Sequence, residues 1–139
     1  MKIYFACSIT GGRELEPAYQ EIVAALTEDG YEIPLSHLVE SESMESERSL
    51  TPQYVYERDT KWVRECDVLI AEVSVPSHGV GYEIAYALNI GKPVLCLYQS
   101  GRKVSKMITG NSDKNQTVRE WSTMEEAIHL ARQFLKAHS

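Results

Sequence analysis

The stretch that most constrains this chain runs from Val68 to Ile90. The apolar run Val68-Leu69-Ile70-Ala71 feeds into Glu72-Val73-Ser74-Val75-Pro76-Ser77-His78-Gly79-Val80-Gly81-Tyr82-Glu83, and a helical pattern from Tyr82 to Ile90 leaves it. Unbroken apolarity suits a parallel strand covered on both faces, so the stretch reads as a strand, a glycine-bearing turn and a helix start. In an open α/β sheet such a turn lies at the carboxyl end of a strand, where ligands bind. The helix that follows offers unpaired N–H groups and a positive dipole end to an anion. Ser77, Gly79 and Gly81 leave room for a phosphate against the backbone, and Glu83 falls in the first turn of the expected helix.

The rest of the chain reads as a frame for this junction. Lys2 to Cys7 is an apolar strand, followed by the turn Ser8-Ile9-Thr10-Gly11-Gly12-Arg13. A helix comes next, with Tyr19, Ile22, Val23 and Leu26 on one face and Asp29-Gly30 as its stop. Tyr31 to Leu35, broken by Pro34, predicts a short edge strand. Val39 to Leu50 has no period and predicts a mobile loop. A helix from Pro52 to Glu65 carries Asp59 about one turn before Trp62. After the central strand and its helix, which stops at Gly91, come a strand from Pro93 to Tyr98 and a polar connection from Gln99 to Asn115. Thr117 to Trp121 predicts a last strand, and Thr123 with Glu126 a capping box. The final helix runs to about Ala137, with Ala127, Ile128, Ala131, Phe134 and Leu135 inside. This order predicts a single-domain, doubly wound (Rossmann- or flavodoxin-like) parallel sheet of four to five strands, with helices on both faces. Its ligand crevice is expected between the first and third predicted strands.

Composition narrows the function. With 139 residues the chain holds one sizeable core, and a net charge of −6 argues against a nucleic-acid surface. No apolar run approaches the ~20 residues of a membrane span, and the first residues turn polar too soon for a signal peptide, so a cytoplasmic protein is expected. Cys7, Cys66 and Cys96 have neither metal spacing nor an even count and read as buried thiols; neither metal nor cofactor is expected.

Two turns flank the expected crevice, and each alone is a weak signal. Neither is a dinucleotide fingerprint, because the first lacks its third glycine and no ribose-binding acid closes the second strand. Glu83 reads equally as a helix-dipole acid or as a functional carboxylate. Asp59 reads first as a solvated helix acid. His37 lines the crevice mouth or caps the chain there, and His129 and His138 read as surface residues.

Tyr4-Phe5-Ala6-Cys7-Ser8-Ile9-Thr10-Gly11-Gly12-Arg13, then Asp59 ahead of Trp62, then Ala71-Glu72-Val73 with Pro76-Ser77-His78-Gly79-Val80-Gly81-Tyr82-Glu83, resemble the nucleoside 2-deoxyribosyltransferase family. Within it the likeness is to the 2'-deoxynucleoside 5'-phosphate N-hydrolases, and it covers nearly the whole chain. The resemblance implies Glu83 as nucleophile, Asp59 as its acidic partner and Tyr4 as the residue orienting the nucleophile. It implies Ser8, Ile9, Thr10, Gly11, Gly12, Arg13, Ser77 and Gly79 around a monophosphate and sugar, with His37 near the base. Val104-Ser105-Lys106-Met107-Ile108 resembles a segment that reaches the phosphate of the neighbouring subunit, which implies a homodimer with Ser105 and Met107 at the partner's site. Thr10 stands where the resemblance leads one to expect an arginine, and Arg13 or Arg102 are candidates to replace its charge. The implied activity is hydrolysis of the N-glycosidic bond of a deoxynucleoside monophosphate through a covalent glutamyl-deoxyribosyl intermediate. Base exchange between deoxynucleosides and non-catalytic nucleotide binding are the alternatives.

Overall fold

The computed structural model describes residues 1–9, 12, 14–34 and 49–139. Thr10, Gly11, Arg13, His37 and most of the loop expected over Val39 to Leu50 lie outside them. Strand β1 (Ile3–Ala6) is followed by α1 (Glu16–Glu28), α2 (Pro52–Glu65), β2 (Val68–Glu72), α3 (His78–Asn89), β3 (Val94–Gln99), the short α4 (Lys106–Thr109), β4 (Gln116–Trp121) and α5 (Met124–Ala137). The four strands form one parallel sheet in the order β1-β2-β3-β4.

Strand β2 shows why the chain folds this way. All five of its residues are buried. Because side chains alternate across a strand, Val68 and Ile70 face one helix layer and Leu69 and Ala71 the other. On the first face they meet Ile3, Phe5, Leu95 and Leu97 under α1 and α5. On the second they meet Tyr4, Ala6, Val94 and Cys96 under α2 and α3, where Val63, Val80, Ile84 and Ala87 pack. Parallel neighbours need crossovers: α1 and α2 lie between β1 and β2, α3 between β2 and β3, and the connection that carries α4 between β3 and β4.

Among the described residues of the strand expected over Tyr31 to Leu35, one bridge forms, Lys2 with Glu32, beside β1. The proline-broken segment thus pairs with β1 at a single point beyond the sheet edge. Leaving β1 toward this bridge and returning to β2 on its other side, the chain places its topological switch point between β1 and β2. This is the crevice expected from sequence.

A second difference concerns α3. The helix begins at His78, four residues before the expected start. Ser77, extended at φ −152° and ψ 124°, caps it by accepting the Val80 N–H at 3.3 Å. Gly79 and Gly81 are therefore helical residues, and Glu83 sits in the second turn, past the reach of the dipole end. Glycine does stop the chain where expected after α3, at Gly91 with φ +81°. Inside the connection after β3, where polarity predicts only a loop, the chain forms α4; Ser105 caps it, accepting from the Met107 N–H at 3.2 Å.

Candidate active site

Alternation along β1 sends Tyr4 toward the α2 and α3 layer, where it is 2% exposed. Its hydroxyl donates to Glu83 Oε2 on α3. Residues 79 apart in sequence thus meet at the switch point. Burial pushes the Glu83 carboxyl up to about 8; the Tyr4 bond pulls it down, the Asp59 charge pushes it up and the Arg58 charge pulls it down. Burial, then the charges of Glu83 and Asp59, push the Tyr4 phenol far above its ordinary value, so it remains a donor. The reading of Glu83 as a helix-dipole acid does not hold, since it sits in the second turn; the Tyr4 bond favours its ionised form, but burial outweighs that bond.

Asp59, half-buried on α2, is close enough to act on both groups. Arg58 Nε donates to Asp59 Oδ1 at 2.9 Å. Tyr4, Asp59 and Glu83 therefore form one cluster drawn from β1, α2 and α3.

The two expected phosphate turns flank it. Ser8, 1% exposed, and half-buried Ile9 follow β1; Gly12 beyond them adopts φ +105°, a conformation that favours glycine. On the other side, the amides of His78 and Gly79 occupy the first two positions of α3, where the helical pattern supplies no acceptor. Neither Gly79 nor Gly81 is demanded by the protein's own packing. A Cβ at Gly79 would meet only the Ser77 hydroxyl, at 3.9 Å, and one at Gly81 nothing within 4 Å. Two helical glycines cost roughly 1 kcal/mol each against alanine, and Gly81 borders open space beside α3.

Ser105 and Met107 stand apart from the carboxyl cluster. With Ser77, His78, Gly81 and Ile108 they border a cavity of about 590 Å³ beside α3. Met107 is 85% exposed. Cys7, pushed up by burial and by the charges of Glu83, Glu72 and Glu16, keeps its proton and is no nucleophile. Among the described residues no group of three His, Cys, Asp or Glu side chains is placed to hold a metal, and no helix is long and apolar enough to cross a membrane.

Sequence reasoning missed two features. One is Arg58, whose signal was present in the spacing of Tyr54, Arg58 and Trp62 at four-residue steps. The other is the buried carboxylate of Glu72, 0% exposed, which accepts from Ser74 and Trp121; a strand-end glutamate gives no hint of a partner two strands further along the chain.

The fold and the cluster define a doubly wound α/β protein with a paired-carboxyl site at its switch point. The chain belongs to the nucleoside 2-deoxyribosyltransferase family, which it matches over residues 3–127. It is 40% identical over 121 residues, 87% of this chain and 99% of the relative, to a Methanococcoides burtonii protein whose name places it with the 2'-deoxynucleoside 5'-phosphate N-hydrolases. It is 41% identical over 130 residues to the 5-hydroxymethyl-dUMP N-hydrolase of Mus musculus, covering 91% of this chain and 74% of that protein. Among solved structures, the Clostridium botulinum CMP N-glycosidase shares the fold, with a TM-score of 0.74 over 96% of this chain and 99% of that one; at 19% identity the likeness concerns architecture alone.

Proposed function

We propose that this protein hydrolyses the N-glycosidic bond of 2'-deoxynucleoside 5'-monophosphates, releasing the free base and 2-deoxyribose 5-phosphate. The observation that carries the reading is the Tyr4 hydroxyl bonded to Glu83 at the switch-point crevice, with Asp59 beside them. The names of the relatives at about 40% identity support it.

In this mechanism Tyr4 holds Oε2 and turns Oε1 of Glu83 toward C1' of the sugar. As the C1'–N bond breaks, its electron pair leaves with the base, which Asp59 protonates, and Oε1 forms an ester with C1'. Asp59, now a carboxylate, takes a proton from water; the water oxygen bonds to C1', and the ester electrons return to Glu83. Each bond breaks and forms heterolytically with no change of oxidation state, so the route calls for no redox cofactor. The 5'-phosphate rests against Ser8, Gly11, Gly12, Ser77 and Gly79, with Thr10 and Arg13 on the same turn, Ile9 packing by the sugar and His37 by the base. Amides at the start of α3 suit an anion.

The active species is a cytoplasmic homodimer, in which the Ser105 and Met107 segment completes the neighbouring site. Exposure of a methionine at 85% beside an open cavity supports this. Light scattering on the eluted protein should give twice the chain mass.

The test is to incubate the protein with deoxynucleoside 5'-monophosphates, the matching ribonucleotides and the unphosphorylated deoxynucleosides, and to measure released base. Release from the first group, strongly reduced in the other two and abolished by Glu83→Gln, is expected. Full activity of Glu83→Ala overturns the nucleophile, and an adduct trapped on Asp59 reverses the two roles. The family match favours one further reading, transfer to a second base. Exchange on adding a free base, faster than hydrolysis, would establish it.

A further inference from the structure

Arg58 carries a charge yet its side chain is only 12% exposed, beside an Asp59 side chain that is 17% exposed. Adjacent helical residues do not face each other, so the 2.9 Å contact with Asp59 requires the arginine to fold back across α2. Two aromatic rings hold it there. The guanidinium carbon lies 5.7 Å from the centroid of Tyr54 and 5.3 Å from that of Trp62. These residues, four before and four after Arg58, share its face, and both distances fall within cation–π range.

Among the described residues, the titratable groups that face this charge come from three elements. Asp59 lies on α2 itself, Tyr4 rises from β1, and Glu83 comes from α3. Cys7, just past β1, shares their electrostatic neighbourhood but keeps its proton. Burial and any charge on Asp59 both resist the ionisation of Glu83 that the attack requires. An adjacent fixed cation relieves that resistance, and arginine is the cation that neither loses its proton nor leaves an aromatic clamp readily.

We propose that Arg58 is a positioning residue of this site: wedged between Tyr54 and Trp62, it fixes Asp59 and supplies the positive charge that lets Asp59 and Glu83 act side by side. The proposal rests on reading those two acids as the acting pair. Arg58 itself need not touch the substrate.

The experiment compares the full chain with R58M, which keeps bulk without charge, and R58K, which keeps charge without the planar fork. One readout is the carboxyl titration of ¹³C-labelled Glu83 in the protein alone. The other is kcat/KM for a deoxynucleoside 5'-monophosphate against pH. In R58M the Glu83 titration should move about one unit higher, the size expected for loss of a nearby opposite charge. Activity at pH 7 should fall about tenfold and recover most of the difference by pH 9, with KM little changed. R58K should restore part of both. An unmoved Glu83 titration in R58M of parental circular dichroism overturns the proposal, as does a loss of equal size at every pH. If R58M does not fold, R58Q takes its place in both measurements, and the same shifts support the proposal or overturn it. Should the parent protein release no base while the titration still shifts, the charge coupling is upheld and the proposed hydrolase activity is what fails.

Discussion

The indole N–H of Trp121, the last residue of β4, donates at 2.8 Å to Oε2 of Glu72, the last residue of β2. The same carboxylate accepts the Ser74 N–H at 2.9 Å and the Ser74 hydroxyl at 3.0 Å, and that hydroxyl accepts the Gln99 N–H of β3 at 2.7 Å. One buried acid thus ties three strand ends together immediately before the turn that carries Ser77. Burial raises the Glu72 carboxyl above its ordinary range, and these bonds work against the rise.

Replacing Trp121 by phenylalanine keeps an aromatic ring in the buried place and removes one donor. Oε2 keeps only the Ser74 hydroxyl, and losing its second donor should cost about 0.5–1.5 kcal/mol of stability, read by urea denaturation. A loss no larger than that of an exposed substitution would mean the indole bond carries no weight in the sheet edge.

Ionisation of Glu83 predicts two opposite pH trends. In the proposed mechanism the attacking form is the carboxylate, so kcat/KM should rise with pH through about 8, the value to which burial pushes this group. Stability should run the other way. A carboxyl raised from 4.5 to about 8 binds more protons folded than unfolded between those values. Its contribution is therefore complete below about 4.5 and is lost as pH climbs to 8. Denaturation at about pH 5.5 and about pH 8.5 should show the parent losing stability across the interval, and Glu83→Gln, which cannot titrate, losing less. Parallel slopes for the two proteins would exclude Glu83 as the titrating group.

How far the sequence can be read depends on the range of the forces involved. Val68 to Glu72 is legible because a strand covered on both faces must be apolar throughout, and the helix starts at Pro52 and at the Thr123 cap because their signals act within three residues. The start of α3 is hidden because glycine usually marks a turn, whereas here Ser77 caps a helix that runs through Gly79 and Gly81. Tyr4, Asp59 and Glu83 come together as candidates only through family resemblance, since nothing local brings a β1 tyrosine to an α3 glutamate. The Glu72 to Trp121 bond has no such guide, and Arg58 escapes notice because a helical acid such as its neighbour Asp59 reads by default as solvated.

The glycines of α3 give a prediction in which stability and function part company. Gly79→Ala meets only the Ser77 hydroxyl at 3.9 Å, in ordinary contact. The helix should gain up to about 1 kcal/mol, seen as a higher Tm, from alanine's greater propensity. If the phosphate lies against this backbone, the added methyl group should raise KM for the monophosphate severalfold while leaving kcat nearly intact. A variant that is more stable with unchanged KM would move the phosphate away from the α3 start.

Tyr4→Phe separates two contributions that the geometry joins. Its hydroxyl both orients Glu83 and favours the carboxylate, and the ring is otherwise packed at 2% exposure in the α2 and α3 layer. The phenylalanine ring keeps that packing, so stability should fall only by the lost buried bond, about 1–3 kcal/mol, and the Glu83 carboxyl should titrate higher still. A hydrogen bond to a charged group contributes about 1.5–3 kcal/mol, so kcat at pH 7 should fall roughly 10- to 100-fold. The effect divides on raising the pH. The part caused by protonation of Glu83 disappears once the variant is fully ionised, whereas the part caused by misorientation persists on the alkaline plateau. A plateau equal to that of the parent assigns Tyr4 to tuning the proton affinity of Glu83, and a lowered plateau assigns it to aiming Oε1 as well. Parental activity at pH 7 would remove Tyr4 from the reaction and with it the contact on which the proposed mechanism is built.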